Sequence, residues 1–329
     1  MVGADSMTKY SLLLALLIGM LLASSCRSSA DDPAFGPASF SPAGNLVVFS
    51  HQDGGACFIY LGNLSTAAAK RLTKARSGCE ADPSFSSDGK FIVYSYASRN
   101  DRKSSLFIVN ADGSNSRQIT PSETDDVYPV FSPDNSNVYF ARSGYFGHHS
   151  PIAASRQHDF DLFSVDLKNN KVTQLTYQGL YDLRSLCLSP DGKELLISTT
   201  RYPIGDLFEV YPTAKPQSAK LVFQPHVPDE PRLTGPTPAF GDACYLPDGL
   251  NILMISASNK GGGNYAYNVY LMSAVTGAIE QLTKLTGMTT GVQASPNGKS
   301  ATFENEGKMY LLDLQSHSLK PLQWSGLNN

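Results

Sequence analysis

The sequence predicts an all-β fold, a six-bladed β-propeller with four antiparallel strands per blade. Three observations support this prediction: one turn signal recurs along the chain, an alternating strand pattern follows each copy, and no helical 3.6-residue apolar period appears between copies. Successive copies start 45, 46, 57, 57 and 49 residues apart, which is typical of propeller blades with two longer insertions. The six copies begin at Ser41, Ser86, Ser132, Ser189, Leu246 and Ser295.

Each copy of the turn has the same local chemistry, as in the Ser-Pro-Asp-Gly of residues 189–192. Proline presets one turn dihedral, aspartate hydrogen-bonds nearby backbone, and Gly or Asn accepts the positive φ that closes a hairpin. A second strand follows the turn, as at 91–94, and a third comes later, as at 106–109. A fourth strand ends in Leu-Thr, as at 72–73. These signals predict four short strands in every unit.

The six units together predict one propeller domain over residues 37–325, with a short tail at 326–329. One blade cannot bury both faces of its own sheet. Blades that pack radially around an axis cover those faces, so stability should be cooperative across the units.

The repeat resembles a known family. Residues 110–115, Asn-Ala-Asp-Gly-Ser-Asn, stand between an apolar strand and Gln-Ile-Thr at 118–120, and this segment is similar to the repeat of TolB-like propellers, as are the Ser-Pro-Asp-Gly turns. TolB itself carries a sizeable domain ahead of its propeller. We expect only a spacer here, so the resemblance implies a bare propeller and gives little support for TolB's envelope-complex partners. The same blade occurs in oligopeptidases, whose hydrolase domain we do not expect in this chain.

Residues 1–25 predict a lipoprotein signal peptide. The apolar run from Tyr10 to Ala23 follows Lys9, contains no charge and is too short to span a bilayer comfortably. It ends in Leu-Ala-Ser-Ser-Cys, which resembles a bacterial lipobox, so Cys26 is the predicted lipid attachment site. The alternative is an ordinary signal peptide that leaves Cys26 free.

The segment that follows predicts where the domain resides. Residues 26–36 carry the lipidated cysteine and a small, polar, flexible spacer. Arg27 stands where an inner-membrane retention signal would place Asp. We therefore expect a protein of the bacterial cell envelope, held by its lipid at the outer membrane and facing the periplasm.

Composition and motifs narrow the possible functions. The formal net charge is −3, which gives no electrostatic reason to expect nucleic acid. The sequence contains no Gly-x-Ser-x-Gly elbow, no His-Glu-x-x-His and no phosphate-binding Gly-x-x-x-x-Gly-Lys run. We assign no catalytic residue and expect no cofactor.

A binding surface is predicted from the direction of the strands. Because consecutive strands alternate direction, the Pro-Asp-Gly turns share one face with the turns between third and fourth strands, and we call this the turn face. The opposite, long-loop face gathers residues 74–83, 96–105, 121–129, 143–160, 177–184, 201–206, 225–243 and 258–267. Tyrosine and other side chains there suit contact with a protein, peptide or glycan, although about half of the aromatic ones could instead pack under their own loops. The predicted binding face comprises Tyr128, Tyr145, Phe146, His148, His149, His158, Tyr177, Tyr181, Arg184, Tyr202, Tyr265 and Tyr267.

The histidine-rich loop also raises the question of a metal. A site would need imidazole nitrogens and a carboxylate converging on one point, for which His148, His158 and Asp159 are the candidates. Adjacent histidines in an extended segment point to opposite sides, so solvent-exposed loop histidines are the default interpretation and no metal is predicted.

The four remaining cysteines form two groups. Cys57 and Cys79 both lie toward the long-loop face of adjacent units, where a disulfide is plausible in an exported protein. Cys187 and Cys244 stand two residues before the turn in adjacent units, and we interpret them as small buried residues rather than as a bridge.

Two functions follow from these predictions. The first is a non-catalytic, lipid-anchored binding module, monomeric, whose long-loop face contacts an envelope protein or a cell-wall or glycan ligand. Its only membrane contact would be the lipid, and it would not bind nucleic acid. The alternative is an oligosaccharide lyase or hydrolase with a His-lined, metal-dependent site on the same face.

Overall fold

The computed structural model describes residues 35–53, 55–74, 77–98, 103–147, 155–201, 205–223, 240–258 and 266–327. The first three sets of strands are β1 Phe35–Phe40, β2 Leu46–Asp53, β3 Ala56–Asn63, β4 Ala68–Arg71; β5 Gly78–Phe85, β6 Phe91–Ser98, β7 Ser104–Asn110, β8 Arg117–Gln118; β9 Asp125–Phe131, β10 Asn137–Gly147, β11 Arg156–Asp166, β12 Val172–Gln174. The next three are β13 Ser185–Leu188, β14 Glu194–Arg201, β15 Gly205–Pro212, β16 Leu221–Phe223; β17 Phe240–Tyr245, β18 Asn251–Ser258, β19 Ala266–Ser273, β20 Ile279–Gln281; β21 Thr289–Ala294, β22 Ser300–Asn305, β23 Lys308–Asp313, β24 Leu319–Pro321.

The described part of the chain is all-β, which confirms the predicted fold class. Its elements are strands and turns, and these ranges include no helix that could cross a membrane. Within each set the strands pair antiparallel in chain order. Bridges at Cys57–Cys79 and Ser104–Asp125 join the first three sets into one 12-stranded sheet, whereas the later sets form three separate four-stranded sheets.

The first strands of the sets lie side by side around a common axis. Strand β1 contacts β5, and the contacts continue through β9, β13, β17 and β21, which in turn contacts β1. The sheets therefore curl round into a closed, propeller-like arrangement, with the first strands innermost.

The apolar core lies between neighbouring sheets. Val48 and Ile59 of the first set, for example, share one buried cluster with Ile92, Tyr94 and Val109 of the second set. Burial of one such large side chain contributes roughly 1.5–3 kcal/mol. Each sheet thus depends on its neighbours for burial of its faces.

The last sheet is attached to the first by aromatic packing and backbone hydrogen bonds. Trp324 stacks on Phe49 with ring centroids 5.2 Å apart. The N–H of Ser325 donates to the carbonyl of Ala67, and the Ser325 carbonyl accepts from Ala69, both at 2.8 Å. These contacts join the two ends of the described chain at the rim.

The repeated turn owes its residues to a local hydrogen-bond network. The Ser189 hydroxyl accepts the N–H of Glu194 at 2.9 Å and donates to Asp191 at 2.8 Å, while Asp191 accepts the N–H of Lys193 at 3.1 Å. The bond from Ser189 is the main cause that lowers the pKa of Asp191 to about 2. The Ser-Pro-Asp-Gly signal is thus explained by hairpin geometry.

Proline and glycine also link one turn to the next. A Cβ placed on Gly192, whose φ is +72°, would lie 2.3 Å from Cγ of Pro133 in the preceding turn. Three other pairs make corresponding contacts, namely Pro42 with Gly89, Pro247 with Gly298, and Pro296 with Gly44. The last of these pairs joins the sixth turn to the first, so the contacts reach across the chain's ends.

Candidate functional site

The structure describes eight of the twelve residues predicted for the binding face. His148, His149, Tyr202 and Tyr265 lie outside the described residues, as does the predicted lipid site, Cys26. The described ones are Tyr128, Tyr145, Phe146, His158, Tyr177, Tyr181, Arg184 and Tyr267. They lie in an exposed aromatic group, in the wall of a central cavity, or in the core.

The exposed group is built on the longest hairpin. Strands β10 and β11 each span 11 residues, and Tyr145 pairs with His158 across them. The His158 ring stacks on Tyr145 with centroids 6.4 Å apart and lies against Tyr181 at 4.8 Å. We call Tyr145, His158 and Tyr181 the aromatic platform.

The platform combines a buried centre with exposed flanks. His158 is 2% exposed, whereas Tyr145 is 49% and Tyr181 is 41% exposed. The Nδ1 atom of His158 lies 2.9 Å from the Tyr181 carbonyl oxygen, which fixes the imidazole against the neighbouring loop. Tyr177, four residues before Tyr181 on that loop, is 74% exposed. Histidine therefore supports the tyrosines from beneath.

The loop that carries Tyr181 is fixed to β11. Phe160 and Leu180 exchange two backbone hydrogen bonds at 2.9 and 2.8 Å. The Asp161 carboxylate accepts the N–H of Gln178 at 2.6 Å and the hydroxyl of Thr176 at 2.7 Å. Because these bonds hold the loop before any ligand arrives, the ordering cost of binding is reduced.

The other described residues of the predicted face lie elsewhere. Phe146 is half-buried at the end of β10. Tyr267 is buried in the cluster between the fifth and sixth sets, so its assignment to the binding surface is wrong. It pairs with Ala257 across the β18–β19 hairpin, and both side chains belong to that cluster.

The metal candidates do not converge in the described residues. His158 is buried with Nδ1 engaged by a carbonyl oxygen, while the following residue, Asp159, is exposed and has a φ of 57°. Across the described ranges, no group of three His, Cys, Asp or Glu side chains is placed to hold a metal ion. The third candidate, His148, is among the residues outside those ranges.

A second candidate site is the central cavity, of about 330 Å³. Its wall comes from the first strands of all six sets and extends from the buried Asp82 and Arg184 to the exposed turn residues Ser87, Pro133 and Pro190. The cavity therefore opens on the turn face. Two residues predicted for the long-loop face, Tyr128 and Arg184, line this cavity, but the cavity itself was not predicted from the sequence.

A positional signal marks the inner end of the cavity. The fourth residue before each repeated turn lies on the innermost strand, and these residues are Pro37, Asp82, Tyr128, Ser185, Asp242 and Gly291, all of which line the cavity. Register shifts interrupt the pairing at five of these positions, all but Ser185. Such bulges are common beside functional sites because they redirect side chains.

Arg184 is buried in a network of carboxylates. Its Nε donates to Asp182 at 3.1 Å, and its terminal nitrogen donates to Asp206 at 2.5 Å and to Thr200. A buried guanidinium in this setting is stable only because it is paired. Arg184 thus shapes the cavity wall instead of standing on an exposed face.

Two carboxyl groups in the cavity wall have raised pKa values. Burial is the main cause that raises the pKa of Asp82 to about 7 and that of Asp242 to about 6. Asp242 accepts the N–H of Gly291 at 2.5 Å, and Asp82 accepts the N–H of Tyr128 at 3.4 Å. In each case the donor comes from the corresponding position in the next set.

The two cysteine pairs differ in state. Cys57 and Cys79, which sequence analysis paired, are joined by a disulfide with sulfur atoms 2.07 Å apart. Cys187 and Cys244 are free thiols. Their sulfur atoms each accept a backbone N–H of the next set, from Tyr245 and Ala294 respectively, at 3.3 Å.

Comparison with known proteins places the fold in a family. Residues 29–202 match the TolB beta propeller domain, which covers more than half of the 329 residues. The chain belongs to the TolB β-propeller family. TolB-like propellers are proteins of the cell envelope and periplasm. The predicted resemblance is thereby confirmed.

Three relatives show how far the likeness extends. Dipeptidyl-peptidase 5 of Porphyromonas gingivalis is 24% identical over 165 residues, 46% of this chain and 22% of that protein. TolB from Acinetobacter baumannii has a TM-score of 0.60 at 16% identity, with 89% of this chain and 64% of TolB covered. Oligogalacturonate lyase from Vibrio parahaemolyticus has a TM-score of 0.55 at 14% identity, with 92% and 80% covered. The chain spans less than two thirds of the first two proteins, and the two structural likenesses concern the fold.

Proposed function

We propose that this TolB-like propeller is a non-catalytic, lipid-anchored binding module of the cell envelope. Its long-loop face would contact an envelope protein or a cell-wall or glycan ligand. The observation that carries the proposal is the aromatic platform: two half-exposed tyrosines, one on the β10–β11 hairpin and one on the neighbouring loop, supported by a buried histidine.

The physical properties of the platform suit recognition. Tyrosine offers a large apolar face and a polar hydroxyl with few rotatable bonds, so it gains contact area at a small entropic cost. Tyr177 extends the exposed aromatic surface on the same loop. Such rings can stack on the apolar face of a sugar or fill the centre of a protein interface.

The scaffold in this proposal has six blades of four strands. Six successive four-strand sets and the cyclic contacts among their first strands support it. The closed ring would hold the long loops of neighbouring blades on one side, which is what a composite binding face requires.

The location in this proposal rests on three features. A signal peptide at 1–25, a lipid on Cys26 and the spacer to residue 36 would place the propeller at the outer membrane, facing the periplasm. The family match is consistent with this placement. The Cys57–Cys79 disulfide also suits an oxidising compartment outside the cytoplasm.

The test is a binding comparison between matched variants. The Tyr145→Ala/Tyr181→Ala protein and a Val275→Ala control, whose residue is also exposed, are each mixed with purified sacculi and with crosslinked envelope fractions. Removal of two central aromatic contacts should weaken retention at least tenfold, about 1.4 kcal/mol or more. The Val275→Ala protein should bind as the wild type does. Equal retention of the double variant and the control would refute the proposal, and the fraction that retains the wild type distinguishes wall from protein.

A second candidate is an oligosaccharide lyase or hydrolase on the same face. It is favoured by the imidazole at the centre of the platform and by the shared fold with oligogalacturonate lyase. Metal analysis of protein purified without added ions tests it, together with product release from uronic-acid oligomers. Stoichiometric metal that disappears in His158→Ala, with loss of product, would support the enzyme over the binding module.

A further inference from the structure

We propose that the central cavity binds a ligand that carries a primary ammonium group, held at the buried end of the cavity by Asp82 and Asp242. The cavity opens on the turn face and its wall contains none of the three platform residues, so this inference goes beyond the proposed function and does not depend on it. It has three lines of support: an unpartnered carboxylate oxygen, an excess of negative charge and the shape of the wall.

The unpartnered oxygen belongs to Asp82. This residue is 6% exposed and lines the cavity. Its Oδ2 atom receives long hydrogen bonds, from the Ser95 hydroxyl at 3.3 Å and from the N–H of Tyr128 at 3.4 Å. Its Oδ1 atom is buried and accepts no hydrogen bond from the residues that the structure describes. A buried acceptor without a donor costs about 1–3 kcal/mol, so a ligand that donates to it would recover that cost.

The charges near this oxygen do not balance. Arg184 supplies the one positive charge of the cavity wall, and Asp182 and Asp206 already pair with it. Asp82 and Asp242 remain. Burial is the main cause that raises the pKa of Asp82, and repulsion by Asp242 adds to it, whereas Arg184 lowers the pKa of Asp242. One cation faces four carboxylates, so an added positive charge is favoured there.

The shape and chemistry of the wall select a compact cation with an apolar stem. Phe85, Phe131 and Leu186 line the cavity together with proline rings. A volume of about 330 Å³ admits a group the size of an alkyl amine or one sugar ring. An ammonium group presents three donors on a narrow stem, whereas a planar guanidinium prefers a single carboxylate with both oxygens free. Asp82 offers only one free oxygen.

The backbone beside the carboxylate is held in an unfavourable conformation. Asp82 and Tyr128 have φ values of 51° and 53°, and each precedes a proline. Strain of this kind costs of order 1–3 kcal/mol per residue and persists where the surrounding structure imposes it, often at ligand sites. Here it aims the Asp82 side chain at the cavity.

The proposal has a defined pH dependence. Burial raises the pKa of Asp82 to about 7 and that of Asp242 to about 6, and an ammonium ligand binds the ionised forms. The other titratable side chains of the wall are Arg184, which stays charged, Tyr128 and Cys187. Affinity should therefore rise between pH 5 and pH 8, together with the ionisation of the two carboxyls.

The experiment compares n-butylammonium with its neutral analogue 1-butanol, by saturation-transfer NMR and by thermal shift, at pH 8 and pH 5. Butylammonium should bind saturably at pH 8 and at least tenfold more weakly at pH 5. At pH 8, 1-butanol should bind at least tenfold more weakly than butylammonium, and its affinity should not change with pH. Asp82→Asn and Asp242→Asn should each reduce the affinity for butylammonium at least tenfold. Glu304→Gln is the matched control, because burial raises the pKa of Glu304 to about 7 as well and its residue is not part of the cavity wall.

Further probes identify the source of the amine. Stronger binding of lysine amide than of its Nε-acetyl form would indicate a peptide as the source of the amine. Stronger binding of glucosamine than of N-acetylglucosamine would indicate an amino sugar. The proposal fails if butylammonium does not bind at 50 mM, roughly the weakest affinity expected for so small a ligand. It also fails if 1-butanol binds equally, if folded Asp82→Asn and Asp242→Asn both retain full affinity, or if Ca²⁺ alone occupies the site and the amine cannot displace it.

Discussion

The two faces of the propeller are built on different principles. On the turn face, one four-residue signal recurs, and the prolines of four turns pack against the glycine of the next turn. On the long-loop face, the connections vary in length, and the aromatic platform lies between the third and fourth sets. The repeat thus supports closure of the ring, whereas the aromatic platform occurs where the chain departs from the repeat.

The cavity complicates this contrast, because it opens on the regular face yet its inner residues vary. From Pro37 to Gly291, the six positions four residues before the turns hold five residue types. The repeat thus fixes a backbone site and leaves its side chain free to vary. Four predictions test this contrast between the faces, and they are given in order of decreasing change in stability.

The largest change in unfolding free energy should come from the Asp82 carboxyl in the cavity wall. The Asp82 carboxyl titrates near 3.8 when unfolded and near 7 when folded, so between these values the folded state holds more protons. The contribution of Asp82 to stability is therefore fully present below about pH 4 and is lost as the pH rises through 7, by up to about 4 kcal/mol. Asp82→Asn should remove this contribution, so the loss of unfolding free energy between pH 5 and pH 8, measured by urea unfolding, should be smaller than in the wild type. An unchanged difference between the two pH values would show that Asp82 is not the group that titrates.

The disulfide on the long-loop side should rank second. Cys57 and Cys79 are 22 residues apart, and loop-closure entropy gives about 3 kcal/mol for a link of this length. Cys57→Ala/Cys79→Ala should lower the unfolding free energy by that amount in urea titrations. A reducing agent should have the same effect on the wild type and none on the double variant. A loss below about 1 kcal/mol would mean that the first two sets are held together without it.

The third-largest loss of stability should come from a substitution on the turn face. Gly192→Ala forces a side chain into positive φ and against Pro133, at a combined cost of about 2–3 kcal/mol. Gly249→Ala is the control, since its φ is +67° but nothing lies within 4 Å of the added Cβ. It should cost about 1 kcal/mol, by strain alone. Equal losses would show that contact between turns contributes nothing to closure.

The smallest stability effect should come from the platform. Tyr145→Ala removes a half-exposed ring from the hairpin end and should change the unfolding free energy by about 0.5 kcal/mol or less. His158→Ala is the comparison, because its ring is buried, and it should cost more than Tyr145→Ala in the same assay. Similar costs for the two would mean that the histidine does not support the tyrosines.

Local signals made much of the fold predictable. Ser-Pro-Asp-Gly forms its hydrogen bonds within six residues, and the Leu-Thr signal also has a local cause. Thr176 accepts the N–H of Leu162 at 2.9 Å, and Thr120 accepts that of Leu106 at 2.8 Å, each across one hairpin. Hydrogen bonds between residues this close in the chain produce motifs that can be recognised in the sequence.

The candidate sites depend on longer-range contacts and were harder to predict. His158 and Tyr181 meet because a loop folds back on β11, and the alternation pattern alone does not show that Tyr267 points into the core. Asp82 reaches the cavity only because the six first strands gather around one axis. Sequence spacing places it before a turn but does not show what faces it.

One measurement tests the central claim that the long-loop face is the binding face. Tyr177 and Val275 are each 74% exposed, the first on the long-loop face and the second in the turn between β19 and β20, on the turn face. A photocrosslinking amino acid introduced at either position in intact cells samples the two faces equally well. We predict discrete adducts from position 177 and none from position 275. Adducts from position 275 alone would contradict the account.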